Sequence, residues 1–182
     1  MKTDLKKWKK VKSKKILHNK HVQMYQDLVK LPNGKLYDYF VVGKRSKAVL
    51  ILPMDKKGRI LISKEYRHPL GKVIYQSIGG SVENNEKPLV AAKRELKEES
   101  GYTAKKFQLL GNFYVNPSLA TTIFYAYLAT DLVKGVPEPE QEEFIESEFV
   151  TQKKFKEMIR TGEIMEPFLM DAFLLYQLKF KK

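Results

Sequence analysis

The chain has no cysteine, a single tryptophan, only three histidines and no apolar run long enough to cross a bilayer as a helix. The missing cysteine excludes a disulfide framework and thiolate chemistry, and it fits a reducing cytoplasm. His18, His21 and His68 lack the spacing of an imidazole-ligated metal centre. The lysine-rich start carries none of the apolar stretch that marks a secretory signal, so a cytoplasmic location is expected. Acidic residues are also scarce, 21 against 34 Lys and Arg, for a net charge of +13. That balance suits an anionic partner without separating nucleic acid from a small phosphorylated substrate. The 182 residues, 43% of them hydrophobic, fit one domain with a small appendage and can bury a real core.

The acids that are present cluster. In the stretch Gly79–Tyr102, GGSVENNEKPLVAAKRELKEESGY, Pro88 marks the first turn of a helix and Gly101 its stop. Asn84 and Asn85 are expected caps. Leu89, Ala92 and Leu96 recur at helical spacing and predict a buried stripe. Glu95, Glu98 and Glu99 stand at i, i+3 and i+4, so three carboxylates share one face near the helix C-terminus, where the dipole disfavours anions. A solvated Lys/Glu face is the ordinary explanation for such a helix. Three acids crowded at that end instead call for a cation. Mg²⁺ or Mn²⁺ takes such oxygen ligands and completes its shell with substrate phosphates.

The spacing is more telling than the crowding. Gly80, Glu86, Arg94-Glu95-Leu96, Glu98-Glu99 and Gly101 fit the pattern G-x5-E-x7-R-E-U-x-E-E-x-G-U, with U aliphatic. Seven fixed identities make a chance match in one window rarer than roughly one in a million. Here the chain resembles the Nudix hydrolase family; Tyr102 at the last aliphatic position is the one departure. The resemblance implies hydrolysis of a nucleoside diphosphate linked to another moiety, in an α/β (α+β) fold. That fold is an α/β/α sandwich with a mixed β-sheet. It also implies roles. The Gly79 carbonyl, Glu95 and Glu99 would bind Mg²⁺ or Mn²⁺, Glu98 would be a further ligand or a base, and Arg94, with Glu86, would orient the carboxylates.

The rest of the chain narrows the branch. Residues 1–15 hold eight lysines and Trp8. They read either as a solvated tail or as an anion-attracting arm on which Trp8 could stack a base or anchor to the core. Residues 14–42 alternate around the turn Leu31-Pro32-Asn33-Gly34 and predict a small antiparallel sheet, too small to stand alone. A division at 42/43 follows, with 43–182 as the catalytic domain. In the nucleoside diphosphate sugar branch of the family such a sheet packs on a partner subunit, so a homodimer is expected. The stretch KEYRHPLGKVIYQSIGGSVE resembles the ADP-ribose pyrophosphatase branch, where an arginine at the place of Arg67 contacts the diphosphate. Pro117, with Ser118 beside it, lies where that branch carries a proline. Tyr25 is a candidate for base stacking, with core packing as its ordinary role. The acidic loop Lys134–Glu143 would close over substrate, with Glu143 as base ahead of Glu142 and Glu140. The expected substrate is a nucleoside diphosphate sugar, ADP-ribose before GDP-mannose. An RNA 5′-pyrophosphohydrolase or a non-catalytic nucleotide- or RNA-binding module is the alternative.

Overall fold

The computed structural model describes residues 6–19, 22–43, 46–137 and 144–180. The chain forms two compact units: 1–46 with 114–123, and 47–113 with 124–182.

The first unit is an antiparallel sheet of β1 (Lys9–His18), β2 (Gln23–Lys30) and β3 (Leu36–Val42), with β2 in the centre. Half of the basic arm is therefore strand rather than tail. Lysines dominate β1 and every residue in it is exposed, so no alternation of polarity announces its first half, ahead of the expected start of the sheet at residue 14. The β2–β3 turn closes at Gly34, whose φ of 85° suits glycine. Trp8 packs edge-on against Tyr37 and Tyr39, with ring centroids 6.4 and 6.0 Å away. Lys10 reaches the buried Asp27 at 2.6 Å. The 114–123 segment joins this unit through a bond from the Val42 N–H to the Leu119 carbonyl.

The second unit opens with β4 (Lys47–Pro53), the continuous apolar run. Its side chains alternate between two cores. Val49 and Ile51 join Ala91, Ala92 and Leu96 of α1 (Pro88–Ser100). Leu50 and Leu52 join Phe155 and Met158 of α2 (Gln152–Arg160) and Leu169 and Phe173 of α3 (Pro167–Phe180). Both faces of β4 are thus covered by helices, which is why its sequence reads as an unbroken apolar run.

Two three-stranded sheets make up the layer between the helices. One is ordered β4, β8 (Ile123–Lys134), β7 (Tyr102–Tyr114); the other β6 (Lys72–Gln76), β5 (Ile60–Arg67), β9 (Glu146–Val150). β5 pairs antiparallel with both neighbours. β4 and β8 run parallel: the Ile123 N–H meets the Ser46 carbonyl at one end, and the Met54 N–H meets the Ala129 carbonyl at the other. β4 ends its sheet rather than lying at the centre of it. Its remaining edge is taken by segment 78–82, where the Val49 and Ile51 N–H groups bond to the Gly80 and Ile78 carbonyls. This edge is where the glycine pair of the motif is fixed.

Candidate active site

α1 begins at Pro88 and stops at Gly101, whose φ of 72° closes the helix. Asn84 and Asn85 do not cap it. The N-cap is Lys87, with no side-chain cap bond, and Asn85 instead turns the preceding loop at φ 66°. The buried stripe is also rotated from the expected one: Ala91, Ala92 and Leu96 face the core, while Leu89 is exposed. The rotation carries Glu95 and Glu99 inward, to 8% and 6% exposure. Carboxylates that far from water must be compensated.

Arg94 supplies part of that compensation. Its Nη1 lies 2.8 Å from Glu95 and donates to Glu98 at 2.9 Å. Its Nε and Nη2 donate to the two oxygens of Glu86 at 3.3 and 3.2 Å, and Nη2 also reaches the Ser81 carbonyl. Arg94's hydrogen bonds hold Glu86 below the usual carboxylate range, with the Glu83 N–H adding to the effect. One guanidinium thus ties three carboxylates to the glycine loop.

The glycines of that loop are there for space. A Cβ on Gly79 would sit 2.2 Å from the Val49 carbonyl oxygen, and one on Gly80 2.5 Å from Glu95 Oε1. The Gly79 N–H points at the Glu99 carboxylate, 3.3 and 3.4 Å away. The Ile78 and Gly80 carbonyls are bonded to β4, and the Gly79 carbonyl has no part in that ladder. Glu95, Glu99 and the Gly79 carbonyl would offer oxygen donors alone, the chemistry that suits a hard divalent cation. Among the described residues no three acidic or histidine side chains stand close enough to cage an ion, and Glu95 and Glu98 both share Arg94.

Arg67 ends β5. Its Nε donates to Gln76 at 2.7 Å, its Nη1 and Nη2 lie 3.3 and 3.1 Å from Glu65, and Gln76 donates in turn to Glu65. Arg67 lines a cavity of about 260 Å³ that reaches Gly79 and Gly80.

Glu166 lines the same cavity and lies outside every motif read from the sequence. It precedes Pro167, the first residue of α3, and accepts the Leu169 N–H at 2.8 Å. Burial pushes its carboxyl up to about 7, against the pull of N–H groups at Leu169, Ser77 and Phe168. An acid ahead of a proline-led helix is a legible capping signal; the cavity around it is not legible.

Other expected site residues belong to the first unit. Trp8 lies in the aromatic cluster with Tyr37 and Tyr39. Tyr25 is half-buried on β2 and donates to Gln23 at 3.2 Å. Ser118 is exposed, donates to Asn116 at 2.8 Å, and accepts the Tyr39 hydroxyl at its carbonyl. His21 and the loop acids Glu138, Glu140, Glu142 and Glu143 lie outside the described residues. The chain leading into that loop is described: Gly101 packs so closely on Val136 and Pro137 that a Cβ there would meet the Pro137 nitrogen at 2.5 Å.

The model of the NUDIX domain matches residues 44–171, and that of the nucleoside diphosphate sugar hydrolase N-terminal domain matches 8–42. The chain belongs to the Nudix family. This Nudix hydrolase is 33% identical over 173 residues to the ADP-ribose pyrophosphatase of Bacillus subtilis (strain 168), covering 94% of this chain and 93% of that one. It is 33% identical to the methanol dehydrogenase activator of Bacillus methanolicus, over 76% of this chain and 77% of that one. A crystal structure of an ADP compounds hydrolase superposes with a TM-score of 0.88 at 19% identity, covering 98% of this chain and 97% of that one; it shares the fold. Among the described residues no helix is long and apolar enough to cross a membrane.

Proposed function

We propose that this Nudix hydrolase is a divalent-cation-dependent pyrophosphatase of nucleoside diphosphate sugars, with ADP-ribose first and GDP-mannose second. Its products are a nucleoside monophosphate and a sugar phosphate. The observation that carries the reading is the near full-length likeness to an ADP-ribose pyrophosphatase, which extends through the N-terminal sheet as well as the motif. Arg67, on a cavity continuous with the glycine loop, supports the same reading.

Glu95, Glu99 and the Gly79 carbonyl would hold Mg²⁺ or Mn²⁺, which when bound neutralises phosphoryl oxygens and aids ionisation of water. The remaining work belongs to side chains. Arg67 grips the diphosphate with its planar fork while Glu65 and Gln76 fix its plane. Arg94 keeps Glu95 and Glu98 aligned, and Glu86 holds Arg94. Glu143 takes a proton from the attacking water. A P–O bond to the water oxygen forms as the bridging P–O bond breaks, and the bridging oxygen leaves with the departing phosphate. The packing of Pro137 on Gly101 supports this assignment, because it starts the acidic loop at the carboxylate end of α1. Glu98 is the alternative base.

Incubation with a panel of nucleoside diphosphate sugars, dinucleotides and 5′-triphosphorylated RNA, with Mg²⁺ or excess chelator, tests the reading. ADP-ribose should release AMP and ribose 5-phosphate, and chelator should abolish the reaction. RNA as the preferred substrate, or full activity in chelator, would overturn it.

We also propose a homodimer built on the β1–β3 sheet, where exposed Leu36 and Phe40 share one face of β3 and want a cover. Light scattering should give twice the chain mass at micromolar concentration; a monomer there removes the proposal.

A further inference from the structure

The cavity beside the glycine loop is too small for a whole nucleoside diphosphate sugar. Its volume of about 260 Å³ falls just below the ~300–1,000 Å³ of sites that enclose drug-sized ligands. It has room for part of such a molecule. Its lining indicates which part. Arg67 offers a fork for phosphate, and Ser77 and Glu166 present hydroxyl and carboxylate oxygens. A base would need an open aromatic face, and the cavity's rings are occupied by each other. Phe124 stacks on Phe113 at 6.2 Å and packs on Phe168 at 4.5 Å. A carboxylate set against an apolar wall suits a ligand that presents several hydroxyls.

Glu166 has capacity for such a ligand beyond its capping role. One oxygen accepts the Leu169 N–H at 2.8 Å, the other lies at the long distance of 3.5 Å from the Ser77 hydroxyl, and the Ser77 and Phe168 N–H groups also draw on the carboxylate, so the long Ser77 hydroxyl contact is the one a ligand hydroxyl would replace. Each carboxylate oxygen can accept two hydrogen bonds. We infer that this cavity is the subsite for the sugar phosphate half of the substrate and that Glu166 accepts a hydrogen bond from a sugar hydroxyl there. The inference rests on the pyrophosphatase reading for the identity of the ligand. It gives the chain a residue, far in sequence from the motif, that sets selectivity for the sugar.

The test is direct binding, by calorimetry on the full chain with Mg²⁺, of ribose 5-phosphate and of AMP. Glu166→Gln keeps the volume, and Glu166→Ser keeps a strong helix cap while removing the carboxylate. Thermal melts identify the folded variants, and the serine variant keeps the experiment decisive if the glutamine variant folds poorly. The expected result is ribose 5-phosphate affinity lowered about tenfold or more in Glu166→Ser, the scale of a lost hydrogen bond to a charged group, with AMP affinity changed less than twofold. No ribose 5-phosphate binding by wild type, unchanged affinity in the folded variants, or equal weakening of both ligands would overturn the inference. Cleavage of ADP-ribose with sugar phosphate binding indifferent to Glu166 breaks the subsite and leaves the reaction. Glu166-dependent sugar phosphate binding without cleavage breaks the reaction and leaves the subsite.

Discussion

Two helix ends in the second unit carry acids drawn out of water, and they are arranged in opposite ways. At the C-terminus of α1, Glu95 and Glu99 lie where the helix dipole is negative, so the backbone opposes them. At the N-terminus of α3, Glu166 lies where the dipole is positive, and the Leu169 N–H bonds to it directly. The first group leans on a guanidinium, Arg94, which Glu86, Glu95 and Glu98 share. The second is satisfied by its own helix and limited only by lost hydration. An acid placed against the dipole is poised for an outside cation. An acid placed with the dipole serves structure first and is free to take a neutral hydrogen-bond donor.

The sharpest way to break this comparison is to neutralise one acid at the α1 end. Glu99→Gln keeps the volume and removes an anionic ligand, so kcat should fall by about 10²–10³-fold or more. Its melting temperature in chelator should hold or rise, because an opposed buried charge has gone. Glu143→Gln should lower kcat by about 10²–10⁴-fold, as for a lost general base, at nearly constant KM. Steady-state kinetics and melts on both variants check this. Near wild-type turnover in Glu99→Gln would move the cation elsewhere; a marked loss of stability would show that Glu99 is held by the protein rather than by the ion.

How much of this was legible in the sequence depends on whether a local signal existed. Pro88, Gly101 and Pro167 punctuate their helices, and Thr151 caps α2 by accepting the Lys154 N–H, as those residue types lead one to expect. The motif placed Arg94, Glu95, Glu98 and Glu99 on one helix, but the arginine's simultaneous hold on Glu86 and the Ser81 carbonyl is tertiary. Leu89 fitted the periodic stripe and is nonetheless exposed, because two small residues, Ala91 and Ala92, let α1 approach β4 closely on a different face. β1 was legible only from residue 14 onward, because the exposed, lysine-rich first half lacks the alternation that reveals a strand. Glu166 was passed over for a related reason. Its sequence context marks only a helix start, while its cavity is assembled from β4, β5, β6 and α3.

The smallest expected effect concerns pH and separates the two helix ends without activity. Glu166 titrates near 7 in the folded chain, above the ~4.3 of a free glutamate. Between those values the folded state holds a proton that the unfolded state has released, so stability falls as pH rises. The contribution is fully present below pH ~4.3 and lost through pH 7. A charged neighbour on the same cavity, Arg67, is common to wild type and variant. Glu166→Gln cannot titrate. The melting temperature of wild type, measured in chelator and relative to that variant, should therefore decline from pH 4.5 to 7.5 and then level off. Glu86 runs the other way: its Arg94 bonds lower its pKa, and the stability it contributes is lost as pH falls into the acid range. Its slope is common to wild type and variant, so it cancels in the difference. A flat difference across the range would mean that water reaches Glu166 freely. The cavity would then be an open notch rather than a shielded pocket, and the contrast between the two helix ends would reduce to the dipole alone.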